Sequence, residues 1–276
     1  MRRIRAANLI IAMALAAMAG CAAKHRPVVL EPAGHAEALA LEHLVALDRA
    51  IAPQVEQALG GPLQNLPVRA YVCTVGQRAV RATSLAVMPC QFMILADEKP
   101  GLTILPGGTT FVTAGLLRRL TNEAQLAGLL AHGVAHLTAG HVVAGLRERL
   151  GPDAVEAATQ AALRSASARS PEENEALARV ARAAAGMAFT AALEAEADRR
   201  GLDYMAAAGY NPPDMVLLVR VLETAGDDTP LGRAHAGPPD RAAAVGAIVA
   251  EKYSTRGGRV ADAEYRREVL DRLDRP

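Results

Sequence analysis

Tryptophan is absent from this chain, and phenylalanine and tyrosine together bring the aromatic share to only 3%. The formal net charge is +1. There is therefore neither a ring platform on which bases could stack nor a basic field to hold phosphates, and nucleic acid is excluded as a partner. No internal repeat and no long run of charge is present. Among the 276 residues, 51% are apolar, alanine prominent among them, which suits a helix-rich globule with a sizeable core.

Cysteine is scarce, at three residues. The first, Cys21, closes an N-terminal pattern: Arg2, Arg3 and Arg5 precede an apolar stretch from Ala6 to Ala19, too short to span a bilayer comfortably and about as long as a signal-peptide core. Met18-Ala19-Gly20-Cys21 resembles a bacterial lipobox, in which the cysteine carries the lipid. Residues 1–20 are thus expected to be a lipoprotein signal peptide, 21–33 a tether, 34–255 the folded domain and 256–276 a C-terminal helical tail. Alanine rather than aspartate at position 22 favours the outer membrane, facing the bacterial periplasm. In that oxidising compartment Cys73 and Cys90 either form a disulfide or stay as buried thiols.

Hydrophobic period divides the rest. His35 to Leu59 reads as an amphipathic helix interrupted near Pro53. Val68–Val72, Leu85–Leu95, Leu102–Leu105 and Thr109–Val112 read as strands of a small antiparallel sheet, the last two joined by Pro106-Gly107-Gly108. One helix is expected from Asn122 to Leu150, stopped by Gly151-Pro152. Ser170-Pro171-Glu172-Glu173 is a capping box that opens another, with a break near Gly186 and a stop at Gly209. Further helices open at Asn211-Pro212-Pro213-Asp214 and Pro238-Pro239-Asp240, with a loop from Gly226 to Pro238 between them.

The predicted helix from Asn122 contains LLAHGVAHLTAGH, which places His132 and His136 four apart and so on one face. That spacing holds zinc in the H-E-x-x-H motif, whose glutamate takes a proton from the attacking water. Here the residue after the first histidine is Gly133. Two imidazoles satisfied inside a helix bundle would look the same, so further ligands decide the matter. Glu194 and Asp198 are also four apart, which allows Glu194 to bind metal while Asp198 accepts a hydrogen bond from a ligating ring. Glu196 lies about 200° round the helix and is expected to face elsewhere.

Four ordered blocks, LPGGTTFVTAGLL, NEAQLAGLLAHGVAHLTAGH, LEAEADRRGLDYMAAAGYNP and AHAGPPDR, resemble the zinc metallopeptidase family that contains the CAAX prenyl protease, HtpX and periplasmic lipoproteins of outer-membrane quality control. The resemblance implies an α+β fold: a mostly helical zincin-type metallopeptidase domain with a small sheet before the metal-binding helix. It implies zinc on His132, His136 and Glu194, with Asp198 behind them. His235 matches a histidine that in some relatives reaches the metal, which makes it a candidate fourth ligand, and Arg241 is a candidate contact for substrate or transition state. His141 recurs in the pattern but lies off the ligand face and is read as structural.

Gly133 departs from that pattern, and no glutamate in the sequence is obviously placed to substitute. Losing a general acid–base typically costs roughly 10²- to 10⁴-fold in rate. An edge strand still pairs with an extended peptide through its main chain, so peptide binding can outlast peptide cleavage. The expectation is a lipid-anchored, zinc-binding family member that engages unfolded or extended segments of envelope proteins and hydrolyses them poorly or not at all. An active endopeptidase with a base from elsewhere and a metal-free scaffold are the alternatives.

Overall fold

In a computed structural model that describes residues 39–84, 88–226 and 228–274, the first helix, α1 (Leu41–Ala58), runs through Pro53 without a break. Pro53 and Arg49, the residue whose carbonyl loses its amide partner, are both exposed, so water can satisfy that carbonyl. The expected signal peptide, tether and Cys21 lie outside the described residues.

The expected strand at Val68–Val72 is instead part of α2 (Leu66–Arg81). Asn65 caps it by accepting the Val68 amide at 3.2 Å, proline stands in its first turn, and Val68, Val72, Val75 and Ala79 bury one helical face. The five residues Val68–Val72 alone fit either period; the longer window fits only 3.6.

Three strands follow: β1 (Gln91–Leu95), β2 (Leu102–Ile104) and β3 (Thr109–Thr113). The β2–β3 hairpin is antiparallel, as expected, but β1 lies parallel to β3, giving a mixed sheet in the order β1-β3-β2. After β1 the chain crosses to the far edge, and β3 then folds back into the middle, which forces it to run with β1. Asp48 of α1 pins the hairpin turn, accepting the Gly107 and Thr109 amides at 3.0 Å each and the Thr109 hydroxyl. Glycine is required at 107, where a β-carbon would stand 2.5 Å from the Leu44 carbonyl oxygen. The outer strand β2 is thereby fixed in place.

A short helix, α3 (Ala114–Leu117), leads into α4 (Glu123–Thr138), in which every residue from Glu123 to Leu137 is buried. The single helix expected to Leu150 is broken at Gly140, whose φ of 73° is left-handed, and α5 (His141–Leu150) leaves at 59°. α6 (Pro152–Ala162) begins on proline after Gly151, and α7 (Pro171–Ala185) begins on the capping box, Ser170 and Glu173 exchanging both bonds. α8 (Ala191–Ala207) crosses α4, and α9 (Asp214–Glu223) packs on α4 from another side. The expected loop from Gly226 to Pro238 holds a short helix, α10 (Pro230–Ala234), capped by Thr229. α11 (Arg241–Lys252) follows, and the last helical stretch docks through Tyr265, whose hydroxyl donates to the Leu117 carbonyl at 2.7 Å. Among the described residues, no single helix is long and apolar enough to cross a membrane.

Cys73 and Cys90 do not pair. Both are free thiols: Cys73 on α2 donates to the Phe92 carbonyl at 3.3 Å, and Cys90 is buried beside the Gly108 turn.

Candidate metal centre

The contact between α4 and α8 assembles the site, and a glycine makes that contact close. A β-carbon on Gly201 of α8 would stand 2.9 Å from both the Cα and the N of His132. With the backbones this near, Glu194 and Asp198 on α8 reach the two histidines of α4.

His132 Nε2 lies 3.1 Å from His136 Nε2 and 3.5 Å from Glu194 Oε2; His136 Nε2 lies 3.2 Å from Glu194 Oε1. From the turn after α10, His235 brings its Nδ1 to 2.9 Å from Glu194 Oε1 and 3.3 Å from His132 Nε2. All four side chains are buried, and one donor atom from each lies within 4.8 Å of the others. Donors about 2.0–2.1 Å from a tetrahedral cation stand roughly 3.3 Å apart, so the five separations suit such an ion. Glu194 Oε2, 3.5 Å from His132 Nε2, is buried without an aligned hydrogen-bond donor, its charge met by the Arg241 guanidinium at 2.9 Å.

Electrostatics prepare these donors. Burial pushes the His136 imidazole down to about 3, so its ring nitrogen keeps a free lone pair at neutral pH. Burial works to raise Glu194, yet His235 and His132 beside it hold the carboxyl well below its usual range. Asp198 is held low against burial by Arg241 and His132. Its Oδ1 is 3.0 Å from His132 Nδ1, which leaves Nε2 of that ring facing the other donors.

Arg241 was expected to face substrate, but it is 1% exposed. Its Nη2 lies 2.7 Å from Asp198 Oδ1 and 2.9 Å from Glu194 Oε2, its Nε also meets Asp198, and its Nη1 donates to the His235 carbonyl at 2.9 Å. The guanidinium is used up neutralising two buried carboxylates and holding the His235 turn. Glu196, expected to face elsewhere, is 3.5 Å from the second ring nitrogen of His141 and pairs with Arg200 at 2.7 Å.

Two covers lie over the cluster. His235 Nε2 is 3.3 Å from the carbonyl of Leu102 on β2, and Leu231 of α10 donates to the Pro100 carbonyl, so α10 sits against the edge strand. Phe189, in the link between α7 and α8, stacks on the His136 ring with centroids 3.9 Å apart, and its amide donates to the Ala234 carbonyl at 3.0 Å. Neither motif nor periodicity marks Phe189; it lies in an irregular link whose position only packing decides. Beside the covers opens a cavity of about 630 Å³, lined in part by Thr103, Met187 and Arg233.

Gly133 faces the sheet. A β-carbon there would lie 3.4 Å from Ile104 Cγ1 and 3.8 Å from Thr110 Cγ2, so its nearest neighbours are aliphatic.

The model of peptidase family M48 matches residues 71–253. The chain is 27% identical over 169 residues to the beta-barrel assembly-enhancing protease of Escherichia coli K12, covering 59% of this chain and 35% of that protein. It is 28% identical over 152 residues to the protein of the same name from Yersinia pestis, covering 52% and 30%. A 75-residue stretch is 33% identical to the mitochondrial metalloendopeptidase OMA1 of Schizosaccharomyces pombe, covering 27% and 22%. The chain spans well under half the length of each of these curated relatives.

Proposed function

The chain belongs to peptidase family M48, and from that premise we propose that it is a zinc-binding, peptide-docking protein of the bacterial envelope in which hydrolysis is weak or lost. The observation that carries this reading is the contrast at one helix turn. His132 and His136 converge with Glu194 and His235, while Gly133 between them packs on Ile104 and Thr110 methyl carbons, with no carboxylate among its nearest neighbours.

In this reading His132, His136 and Glu194 hold the metal, and His235 fills the fourth position. When bound, zinc supplies Lewis acidity that activates water and polarises a carbonyl. Asp198 keeps His132 in the ligating tautomer, and Arg241 offsets the buried negative charge. At position 133, next to His132, the chain carries glycine instead of a group that moves a proton from water to the leaving amine, a loss worth roughly 10²- to 10⁴-fold. Peptide binding survives on β2, whose Leu102 and Ile104 direct their main-chain groups away from β3. Because His235 contacts the Leu102 carbonyl, a docked peptide displaces His235 and α10 together.

The relatives named for beta-barrel assembly support a role in the quality control of envelope proteins, with unfolded or extended peptide segments as the clients. The lipobox-like Met18–Cys21 supports removal of residues 1–20, lipidation of Cys21, and a tether over 21–33 carrying the 34–255 domain and the 256–276 tail on the periplasmic face of the outer membrane. Cys21→Ser is expected to move the protein from the membrane fraction to the soluble fraction; unchanged membrane association would remove the anchor from this reading.

Metal analysis tests the centre. Purified protein comprising residues 22–276 is expected to carry about one zinc per chain, lost in Glu194→Ala, and to cleave casein at or near background. No zinc in the wild type would leave a metal-free scaffold. Zinc-dependent cleavage that Glu194→Ala abolishes would make it an active endopeptidase.

A further inference from the structure

His136 is approached from two sides by α8. On one side stands Glu194; on the other, Glu196 reaches His141, the first residue of α5 beyond the Gly140 turn. His141 is buried, and its Nδ1 lies 3.1 Å from Nδ1 of His136. Its Nε2 is buried without a hydrogen-bond partner, and a Glu196 carboxylate oxygen lies 3.5 Å away. Glu196 is itself steadied by Arg200, at 2.7–2.8 Å.

Two ring nitrogens that face each other at this distance share one hydrogen, so the tautomer of one ring dictates that of the other. We infer that His141 and Glu196 are positioning residues for the metal, locking His136 in the form that presents Nε2 to the ion. The inference rests on the metal-binding reading above and adds to it the outer partners of the second histidine, as Asp198 is the outer partner of the first. With the ion on His136 Nε2, the hydrogen of that ring is on Nδ1 and points at His141. His141 Nδ1 is then bare, its own hydrogen is on Nε2, and that N–H faces the Glu196 carboxylate. Metal loading therefore turns an orphaned nitrogen into a charge-assisted donor, and Glu196, whose side chain is 30% exposed, carries the effect to the surface.

Outer partners of ligating histidines typically contribute about 10- to 100-fold to metal affinity. The test is a zinc titration against a chelating competitor on wild type, Glu196→Ala and His141→Phe, with imidazole nitrogens followed by long-range ¹⁵N–¹H NMR. Glu196 is partly exposed, so its variant should fold even if His141→Phe does not. Expected is a loss of affinity of about tenfold or more in Glu196→Ala, with zinc-loaded wild-type His141 protonated on Nε2 and that tautomer no longer uniform in the variant. Wild type that binds zinc with His141 protonated on Nδ1, or a Glu196→Ala affinity within twofold of wild type, overturns the inference alone. Wild type that binds no zinc overturns the metal reading and this inference with it.

Discussion

Casein hydrolysis is expected to rise by about 10²- to 10⁴-fold when Gly133→Glu is combined with Ile104→Ala, and by much less with Gly133→Glu alone. The missing proton carrier accounts for the size of the gain, and the neighbour accounts for the need of two substitutions. A β-carbon at 133 meets Ile104 Cγ1 at 3.4 Å, ordinary contact for one carbon, but the rest of a glutamate side chain has to pass that isoleucine. Shortening Ile104 opens the path. Helix propensity does not oppose the change, since glycine is about 1 kcal/mol poorer than alanine inside a helix and glutamate is a good helix former. The comparison is made at equal zinc loading in a His235→Ala background, so that the covering imidazole does not mask the gain. If wild type is already as fast as the double variant, and Glu194→Ala abolishes its activity, the proton carrier comes from elsewhere and the inactive reading fails.

Replacement of Arg241 by alanine is expected to destabilise the metal-free protein by about 3–5 kcal/mol. Arg241 is almost fully buried and bonds Asp198 through two nitrogens while lying 2.9 Å from Glu194. Removing it leaves two carboxylates in a low-dielectric interior without their cation, and Asp198 loses the guanidinium that holds its carboxyl low against burial. Zinc supplies replacement positive charge, so the loss should be smaller in the metal-loaded protein. Arg241→Lys should recover only part of it, because an ammonium lacks the planar fork that meets Asp198 at two points. Denaturant unfolding of apo and zinc-loaded forms measures all of this. A loss below about 1 kcal/mol in the apo form, together with a changed Kd for an extended peptide, would return Arg241 to substrate contact.

Most of the buried cluster was legible because its members come in local pairs. His132 and His136, and Glu194 and Asp198, each sit one helical turn apart, and that spacing puts each pair on a common face whatever the surroundings. The resemblance to the metallopeptidase blocks added His235 and Arg241, yet assigned Arg241 to the substrate side, since nothing local shows that α11 begins against two buried acids. Glu196 faces away from the cluster, as its angle round α8 requires, but that it meets His141 there depends on α5 turning back at Gly140. Val68–Val72 reads as a strand in isolation because five residues are too few to separate a period of 2 from one of 3.6.

By itself the sequence determined the helical periodicity of its longer windows, the cap at Ser170, the β2–β3 turn and the two same-face pairs, His132 with His136 and Glu194 with Asp198, since each depends on backbone chemistry within a few residues. Tertiary structure alone decided that β3 runs parallel to β1, that Ile104 faces Gly133, and that His132 meets Asp198 across 66 positions and His235 across 103. Those meetings depend on how closely whole elements pack, as α4 and α8 do at Gly201, and such distances arise only when the core closes.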